Sequence, residues 1–567
     1  MAKDYGTIYC PAPPLSDPAS NFKGFAPGKT VLPRGYVHEE GAMALPCDII
    51  MERDVAITLR DGVKIYVDIF RPTGEEKVPA LINSTIFGKN GSYFTLDVLA
   101  GMTNNPNRFG LPKNLFSELQ TWEGADPAFW CNHGYAIVNV DMRGVGMSEG
   151  DAHYFGEQDS DDNYDIIEWL AVQDWCNGRV SMVGNSWLGI TQWYVAAKHP
   201  PHLCCIAPWE GHGNMYVDEY MRGGIPNFPG VRRKMCYGNQ RTEDLPTEMA
   251  TYPLMNEFWE EKCADFSKVE CPAYVVASWT SNIHCRGTFE AWRKISSKEK
   301  WLRVHNTQEW PDFYDEYHSL DLLRFLDHYC KDKNNGWENT PHVRMSKLDP
   351  GGNDLIDVIE EEFPIPRTEY KKFYLRSENT FLSEKPEAND KPIVYSGDNK
   401  KDVLRFTYRF EEDTELTGYM KLLAWVEAED AEDMDVFVSV NSMNAEGEYI
   451  YHDARMRLYS GPDQRQRVSL RELDMDKTEV FEPVHTFKHP QKLHKGEVVP
   501  VEIGLWPTSL IFHAGEQIEV AISGMPYMVQ QSEFSDLELE TINKGNHILH
   551  CGGKYDSHIL LPFVPKK

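Results

Sequence analysis

The sequence predicts an α/β protein with a largely parallel sheet, an inserted helical cap and a following all-β sandwich. Three observations carry that reading. Short apolar runs alternate with amphipathic helical stretches between about residues 46 and 340, as in a parallel sheet covered by helices. The run Val180–Val183 passes at once into Gly184-Asn185-Ser186-Trp187-Leu188-Gly189 and a helical Ile190–Ala197, so a strand turns sharply into a helix at a serine. Beyond about Pro341, alternating runs separated by turn residues dominate, which is the pattern of a β sandwich.

At 567 residues the chain is too long for one core, and it divides where the pattern changes. Residues 1–45 are rich in proline and glycine without periodicity. They read as an extended arm that wraps its own domain or a neighbouring subunit, the second use implying a homodimer. Residues 46–208 are the first part of the α/β core. Val55–Leu59 and Lys64–Phe70 make a hairpin across Arg60-Asp61-Gly62. Pro79–Asn83 and Tyr135–Val140 are buried strands, separated by Phe87-Gly88-Lys89 and an aromatic-rich insertion.

Asp141–Gly150 is a glycine-rich loop at a strand end, but it has neither a P-loop lysine nor dinucleotide spacing. It reads as a structural turn held by Asp141 and Arg143. Ser160-Asp161-Asp162 caps a helix with the apolar stripe Ile166, Ile167, Leu170 and Val172. Leu203–Pro208 is the next strand, and residues 209–268 are polar, aromatic and weakly helical, the inserted cap. Residues 269–340 return to the core with a strand at Pro272–Ala277 and a helix from about Gly287 to Ile295. A last strand at Lys300–Val304 and a closing helix at Asp321–Tyr329 complete it. Residues 341–567 hold the β runs Lys371–Leu375, Leu416–Val426, Met434–Val440 and Gln517–Ser523.

Composition excludes several classes. A net charge of −30 leaves no basic footprint for nucleic acid or an anionic membrane. The twelve cysteines share no repeated spacing; Cys204 and Cys205 are adjacent and no C-x-x-C occurs. Neither a zinc site nor a disulfide framework is indicated, and no metal or organic cofactor is expected. Met1–Pro14 lacks the apolar stretch of a signal peptide, and no run approaches bilayer length. A reducing, cytoplasmic setting is the expectation.

The serine turn is where chemistry is expected. A side chain two residues before the serine would collide with the backbone of so sharp a turn, hence Gly184. The helix that follows aims its first N–H groups and its positive dipole end at any oxyanion formed over Ser186. The second glycine, Gly189, falls one residue later than in the usual G-x-S-x-G.

With these residues in view, the chain from about Ile49 onward resembles the cocaine esterase and X-prolyl dipeptidyl-peptidase family of α/β-hydrolases. The likeness rests on Arg60-Asp61-Gly62, the Asp141-Met142-Arg143-Gly144…Ser148-Glu149-Gly150 loop, Trp175-Cys176-Asn177-Gly178 and Gly184–Gly189. Leu416-Thr417-Gly418 and Phe512-His513-Ala514-Gly515-Glu516 look like the family's signposts in its last domain. The resemblance implies an α/β-hydrolase fold with a helical cap and a C-terminal jelly roll. It places the nucleophile on Ser186 and one oxyanion donor on the backbone N–H of Trp187. Where the family has a tyrosine hydroxyl as second donor, this chain has Phe87; where it has its acid, Ser281. Its histidine position falls on Glu309, or on Gln308 with a one-residue slip.

A hydroxyl nucleophile needs a base within hydrogen-bond reach and a group that orients the base. His284 lies in the loop where the family keeps its acid, and Glu309 in the loop where it keeps its histidine. Triads are defined by geometry and not by chain order, so a swapped set of Ser186, His284 and Glu309 is the candidate. The bland alternatives are a loop histidine bonded to backbone and a structural carboxylate. His305 is a rival base, a pocket-lining histidine or equally a packed core histidine, and His212 and His318 are weaker candidates. Phe87, Trp209, Trp279 and Trp310, with Trp187, sit at strand ends or the cap entry and predict an aromatic-lined pocket for a bulky, apolar small molecule. A serine hydrolase acting on a small ester or amide is the first expectation. A lyase, isomerase or cyclase on the same fold is the second, and a catalytically dead binding protein the third.

Overall fold

A hydrogen-bonded sheet of eleven strands organises the N-terminal part of the chain. In the computed structural model, residues 5–90, 97, 110–227, 236–377, 380–454, 458–526 and 541–566 are described. Much of the aromatic-rich insertion expected after Lys89, and part of the expected cap, lie outside them. The arm contributes β1 (Tyr9–Pro11) and β2 (Gly28–Leu32), followed by β3 (Ile49–Thr58) and β4 (Lys64–Pro72). β5 (Val78–Thr85), α1 (Pro127–Asn132), β6 (Ala136–Asp141) and α2 (Gly156–Ala171) come next. β7 (Cys176–Asn185) then turns into α3 (Trp187–Ala196), and β8 (Leu203–Trp209) follows. The inserted segment holds β9 (Arg241–Glu243), α4 (Leu245–Thr251) and α5 (Glu257–Glu261). β10 (Ala273–Ser278), α6 (Cys285–Lys294), β11 (Lys300–His305), α7 (Glu309–Phe313) and α8 (Glu316–Lys331) return to the sheet. β12 (Val343–Lys347) and β13 (Leu355–Glu360) end it.

The sheet order is β13-β12-β11-β10-β8-β7-β5-β6-β4-β3-β2. From β6 to β12 every neighbouring pair is parallel. Every residue of β5, β6 and β10 is buried, because helices cover both faces of a parallel sheet and a continuous apolar run is what such a strand needs. The shared direction brings Thr85, Asp141, Asn185, Trp209, Ser278 and His305 to one edge, where open α/β sheets hold their ligands. The antiparallel β3–β4 hairpin docks on β6.

Three local expectations change, at α2, at Val172 and at the last strand. α2 starts at Gly156, ahead of the cap expected at Ser160, because the Glu261 carboxylate reaches in from the inserted segment and accepts the Glu157 N–H at 2.6 Å. Val172, expected on the apolar stripe of α2, sits at its C-terminal cap and is exposed. Lys300–Val304 is not the last strand: β12 adds to it in parallel and β13 antiparallel, since Val343 and Met345 have apolar side chains to bury there. The arm wraps its own chain: β1 pairs with β9, and β2 with β3. The loop 141–150 is a structural turn, with Arg143 donating two hydrogen bonds to Asp162 at 2.7 Å each.

The C-terminal part is built of β strands, the longest pair being Thr414–Ala428 against Val499–Phe512. Its other expected runs coincide with Glu369–Arg376, Asp435–Met443, which begins one residue after the expected Met434, and Gln517–Ser523.

α7 is too short to hold itself against the sheet by helix propensity. It is seated by a buried, bidentate ion pair: Arg303 of β11 donates to Asp312, with Nη1–Oδ1 at 2.8 Å. The guanidinium also lies 4.8 Å from the Trp209 ring and donates to the Tyr274 hydroxyl at 3.1 Å. The paired cation holds the Asp312 carboxyl well below the usual carboxylate range, in spite of burial. Removing one partner of such a pair strands a buried charge, so Asp312→Ala is expected to cost about 3–5 kcal/mol in denaturant unfolding. A loss under 1 kcal/mol would show that the pair does not anchor this corner.

Candidate active site

Ser186 sits on a strained turn between β7 and α3, with φ 53° and ψ −118°. That conformation is disfavoured for a residue with a side chain, and it persists because the packing around it leaves no alternative. A Cβ on Gly184 would meet Leu188 Cβ at 2.7 Å, and one on Gly189 would meet the Trp209 carbonyl at 2.6 Å. The displaced second glycine is thereby explained: Leu188 packs on Gly184, and position 189 is the one pressed against the segment after β8. The Ser186 N–H donates to the Trp209 carbonyl at 3.1 Å. Trp187 is the first residue of α3, so its N–H belongs to the first turn, whose donors have no partner within the helix.

His284 ends the loop after β10 and precedes α6. Its Nε2 lies 3.1 Å from Ser186 Oγ. Ser281 accepts the His284 backbone N–H at 3.1 Å and so fixes the backbone that carries this histidine. The His212 ring stacks on His284 with centroids 5.4 Å apart, a contact that Gly287 permits, since a Cβ there would meet His212 Cβ at 2.4 Å. His212 in turn has Glu219 Oε2 at 3.3 Å from its Nε2.

Glu309 opens α7 and is buried. Its Oε2 lies 3.8 Å from His284 Nε2, the nitrogen that faces the serine, whereas an orienting acid would address Nδ1. Burial, reinforced by Glu210, raises the Glu309 carboxyl well above its ordinary range. Two further acids gather here that the sequence did not single out. Glu123 is held up by burial and then by Glu309, and accepts a hydrogen bond from Trp310 Nε1 at 2.9 Å. Glu210 accepts from His305 Nε2 at 2.6 Å. Both have positive φ, 63° and 47°, so backbone strain marks three residues of one site. Read along the chain, Glu123 and Glu210 are ordinary acids in loops and carry no motif.

His305 is bonded through Nε2 to Glu210, and its Nδ1 accepts the Thr307 N–H at 3.3 Å. Burial lowers it to about 4, so it is neutral and positions Glu210. His318 pairs with Asp312, Nδ1–Oδ1 3.1 Å.

The expected aromatic wall is dispersed. Trp209 packs among Tyr274 and Phe313, and Trp279 stacks on Phe289 with its indole N–H on the Ser346 carbonyl at 2.6 Å. Both are core residues. Trp310 packs against Trp122 with centroids 5.3 Å apart and stays beside Glu123. Phe87 lines a small cavity with Leu15, Phe22 and Tyr237. Its loop is pinned by Lys89, whose N–H donates to Asp141 at 2.9 Å and whose Nζ pairs with Asp54 and Asp68.

Residues 61–241 match the family described as X-Pro dipeptidyl-peptidase (S15 family). Residues 335–560 match the X-Pro dipeptidyl-peptidase C-terminal non-catalytic domain. A CocE/NonD family hydrolase from Staphylococcus aureus is 33% identical and superposes with a TM-score of 0.85 over 91% of this chain and 94% of its own. The cocaine esterase of Rhodococcus sp. (strain MB1 Bresler) is 23% identical, over 90% of this chain and 98% of its own length. An aminopeptidase from a marine sediment archaeon shares the fold, with a TM-score of 0.68 at 16% identity over 91% of this chain and 97% of its own.

The raised Glu309 carboxyl has a consequence for stability. In the unfolded chain a glutamate releases its proton near 4.5; in the fold this one keeps it. Above that pH the native state binds a proton that the unfolded state has lost, so this group's contribution falls as pH rises until the folded carboxyl ionises. Glu309→Gln removes the dependence. Its melting temperature relative to the parent is expected to be higher at pH 8 than at pH 5, and an offset equal at both would rule out a carboxyl held protonated.

Proposed function

The chain belongs to the cocaine esterase and X-Pro dipeptidyl-peptidase family of α/β-hydrolases, and from that premise we propose that it cleaves a small-molecule ester or amide through an acyl-enzyme on Ser186, with a rearranged site. The 3.1 Å contact between Ser186 Oγ and His284 Nε2 carries the reading. In the first step the serine proton passes to His284 Nε2 as Oγ bonds the acyl carbon and the carbonyl oxygen becomes an oxyanion. The Trp187 N–H and the α3 dipole stabilise that oxyanion. The imidazolium then returns the proton to the leaving alcohol or amine as its bond to carbon breaks. Water repeats the sequence with His284 as base and frees the acid.

Glu309 takes a different part from a triad acid. A carboxyl kept neutral by its surroundings is a hydrogen-bond donor, and this one sits beside the nitrogen around which the reacting atoms gather. In our reading it supplies the donor that Phe87, lacking a hydroxyl, does not. A second reading draws on the same pair: a neutral acid beside a histidine base also suits proton transfer without acyl transfer, as in a lyase or isomerase.

Intact mass after exposure to a fluorophosphonate separates the two. Adduct formation in the parent that is absent in Ser186→Ala is expected, slowed by about 10²–10⁴ in His284→Ala, the usual contribution of a general base. A folded parent that stays unlabelled removes the acyl-enzyme reading. For Glu309 the test is kcat on a chromogenic ester. Glu309→Ala is expected to lower it by about 10²–10³, the usual loss for one oxyanion donor, while Glu309→Gln, which keeps a donor, falls less than about tenfold. Equal losses in both variants would exclude the donor role.

A further inference from the structure

At the other end of β8 from the serine, three thiols converge. Cys204 and Cys205 begin β8, and Cys330 ends α8. Their sulfurs are 2.9 Å (Cys204–Cys330), 3.8 Å (Cys205–Cys330) and 3.9 Å (Cys204–Cys205) apart. Adjacent residues of a regular strand point to opposite faces, so one face holding both Cys204 and Cys205 needs a cause. The cause is a register shift: Val180 pairs with Leu203, but Ser181 with Cys205. The strand bulges at Cys204, and a bulge re-aims the side chain it carries.

We propose that Cys204, Cys205 and Cys330 form a binding site for one thiophilic monovalent d10 ion, of the chemistry of Cu(I). Three sulfurs around an ion with metal–sulfur bonds of about 2.3 Å stand about 4 Å apart, which two of the three separations match. The third opens by outward rotation of Cys204, the partly exposed member, while Cys205 and Cys330 are buried. Among the described residues the group contains no histidine or carboxylate. An all-sulfur, three-ligand set favours a soft ion over zinc, which takes four ligands, and over hard cations, which take oxygen.

Binding converts thiols to thiolates and releases their protons to solvent. Asn177 and Arg179 tie the strand that neighbours β8 to the same helix end, donating to the Cys330 and Tyr329 carbonyls. Cys205 stands four residues before Trp209, which ends β8 at the serine edge, a separation of about 13 Å along the strand. The ion would therefore fasten α8 to the sheet and take no part in acyl chemistry.

The test is anaerobic titration of the reduced full-length protein with Cu(I) delivered as its bicinchoninate complex. The parent is expected to withdraw one equivalent, and Cys205→Ser and Cys330→Ser to bind at least tenfold more weakly, with Cys131→Ser unchanged. As a readout that needs no variant, one equivalent of Cu(I) is expected to protect the Cys204 peptide from iodoacetamide and to raise the melting temperature. No withdrawal by the folded parent, equal withdrawal by the variants, or isolation of a Cys204–Cys330 disulfide that persists when Cu(I) is offered would each overturn the site.

Discussion

The close approach of α3 to the ends of β7 and β8 is the constraint on which the site depends. Gly184 and Gly189 have no room for a Cβ, and the Ser186 N–H is bonded to the Trp209 carbonyl across the strand ends. Together they hold a positive φ at a residue that would otherwise avoid it. The same approach sets the position of Glu210, which follows Trp209 directly, and of Glu123, whose carbonyl lies 3.0 Å from where a Gly184 Cβ would be. Strain at Ser186, Glu123 and Glu210 is thus one packing problem seen at three positions.

Around that turn the polar groups come from the loops that follow neighbouring strands. The loop after β10 presents a histidine to the serine, and the loop after β11 presents a carboxylic acid. Ser281 serves the backbone of His284, and His305 serves Glu210. Glu123 and Glu309, each raised by burial and then by a neighbouring glutamate, are costly to ionise in so dry a place. Their cost is offset by rigid surroundings: the Arg303–Asp312 pair seats α7, and Lys89 with its three aspartates pins the loop after β5. Perturbed carboxyls beside a strained serine are what a functional site shows more often than a structural one.

The arm and the inserted segment close this edge from outside. β1 adds to β9, and Glu261 of the insert caps α2. A helix start on the core therefore depends on a segment more than a hundred residues away, and the insert is part of the fold's hydrogen bonding.

Local pattern in the sequence determined the kind of protein this is. Runs such as Ala136–Val140 and Ala273–Ala277 read as buried parallel strands because burial on both faces demands continuous apolar residues, and Gly184-Asn185-Ser186 read as a turn because only glycine fits there. The start of α2 departs from the pattern because its cap comes from elsewhere, while α8, capped locally by Asp315, begins at Glu316 and not at the expected Asp321. What tertiary structure alone decided are the meetings of distant residues: His284 at Ser186, the cluster of Glu123, Glu210 and Glu309, the core burial of Trp209 and Trp279, and Cys330 beside Cys204 and Cys205. Residue type and spacing carry no record of such encounters, since desolvation, ring stacking and sulfur contact act only once the chain has brought the groups within a few ångströms of each other.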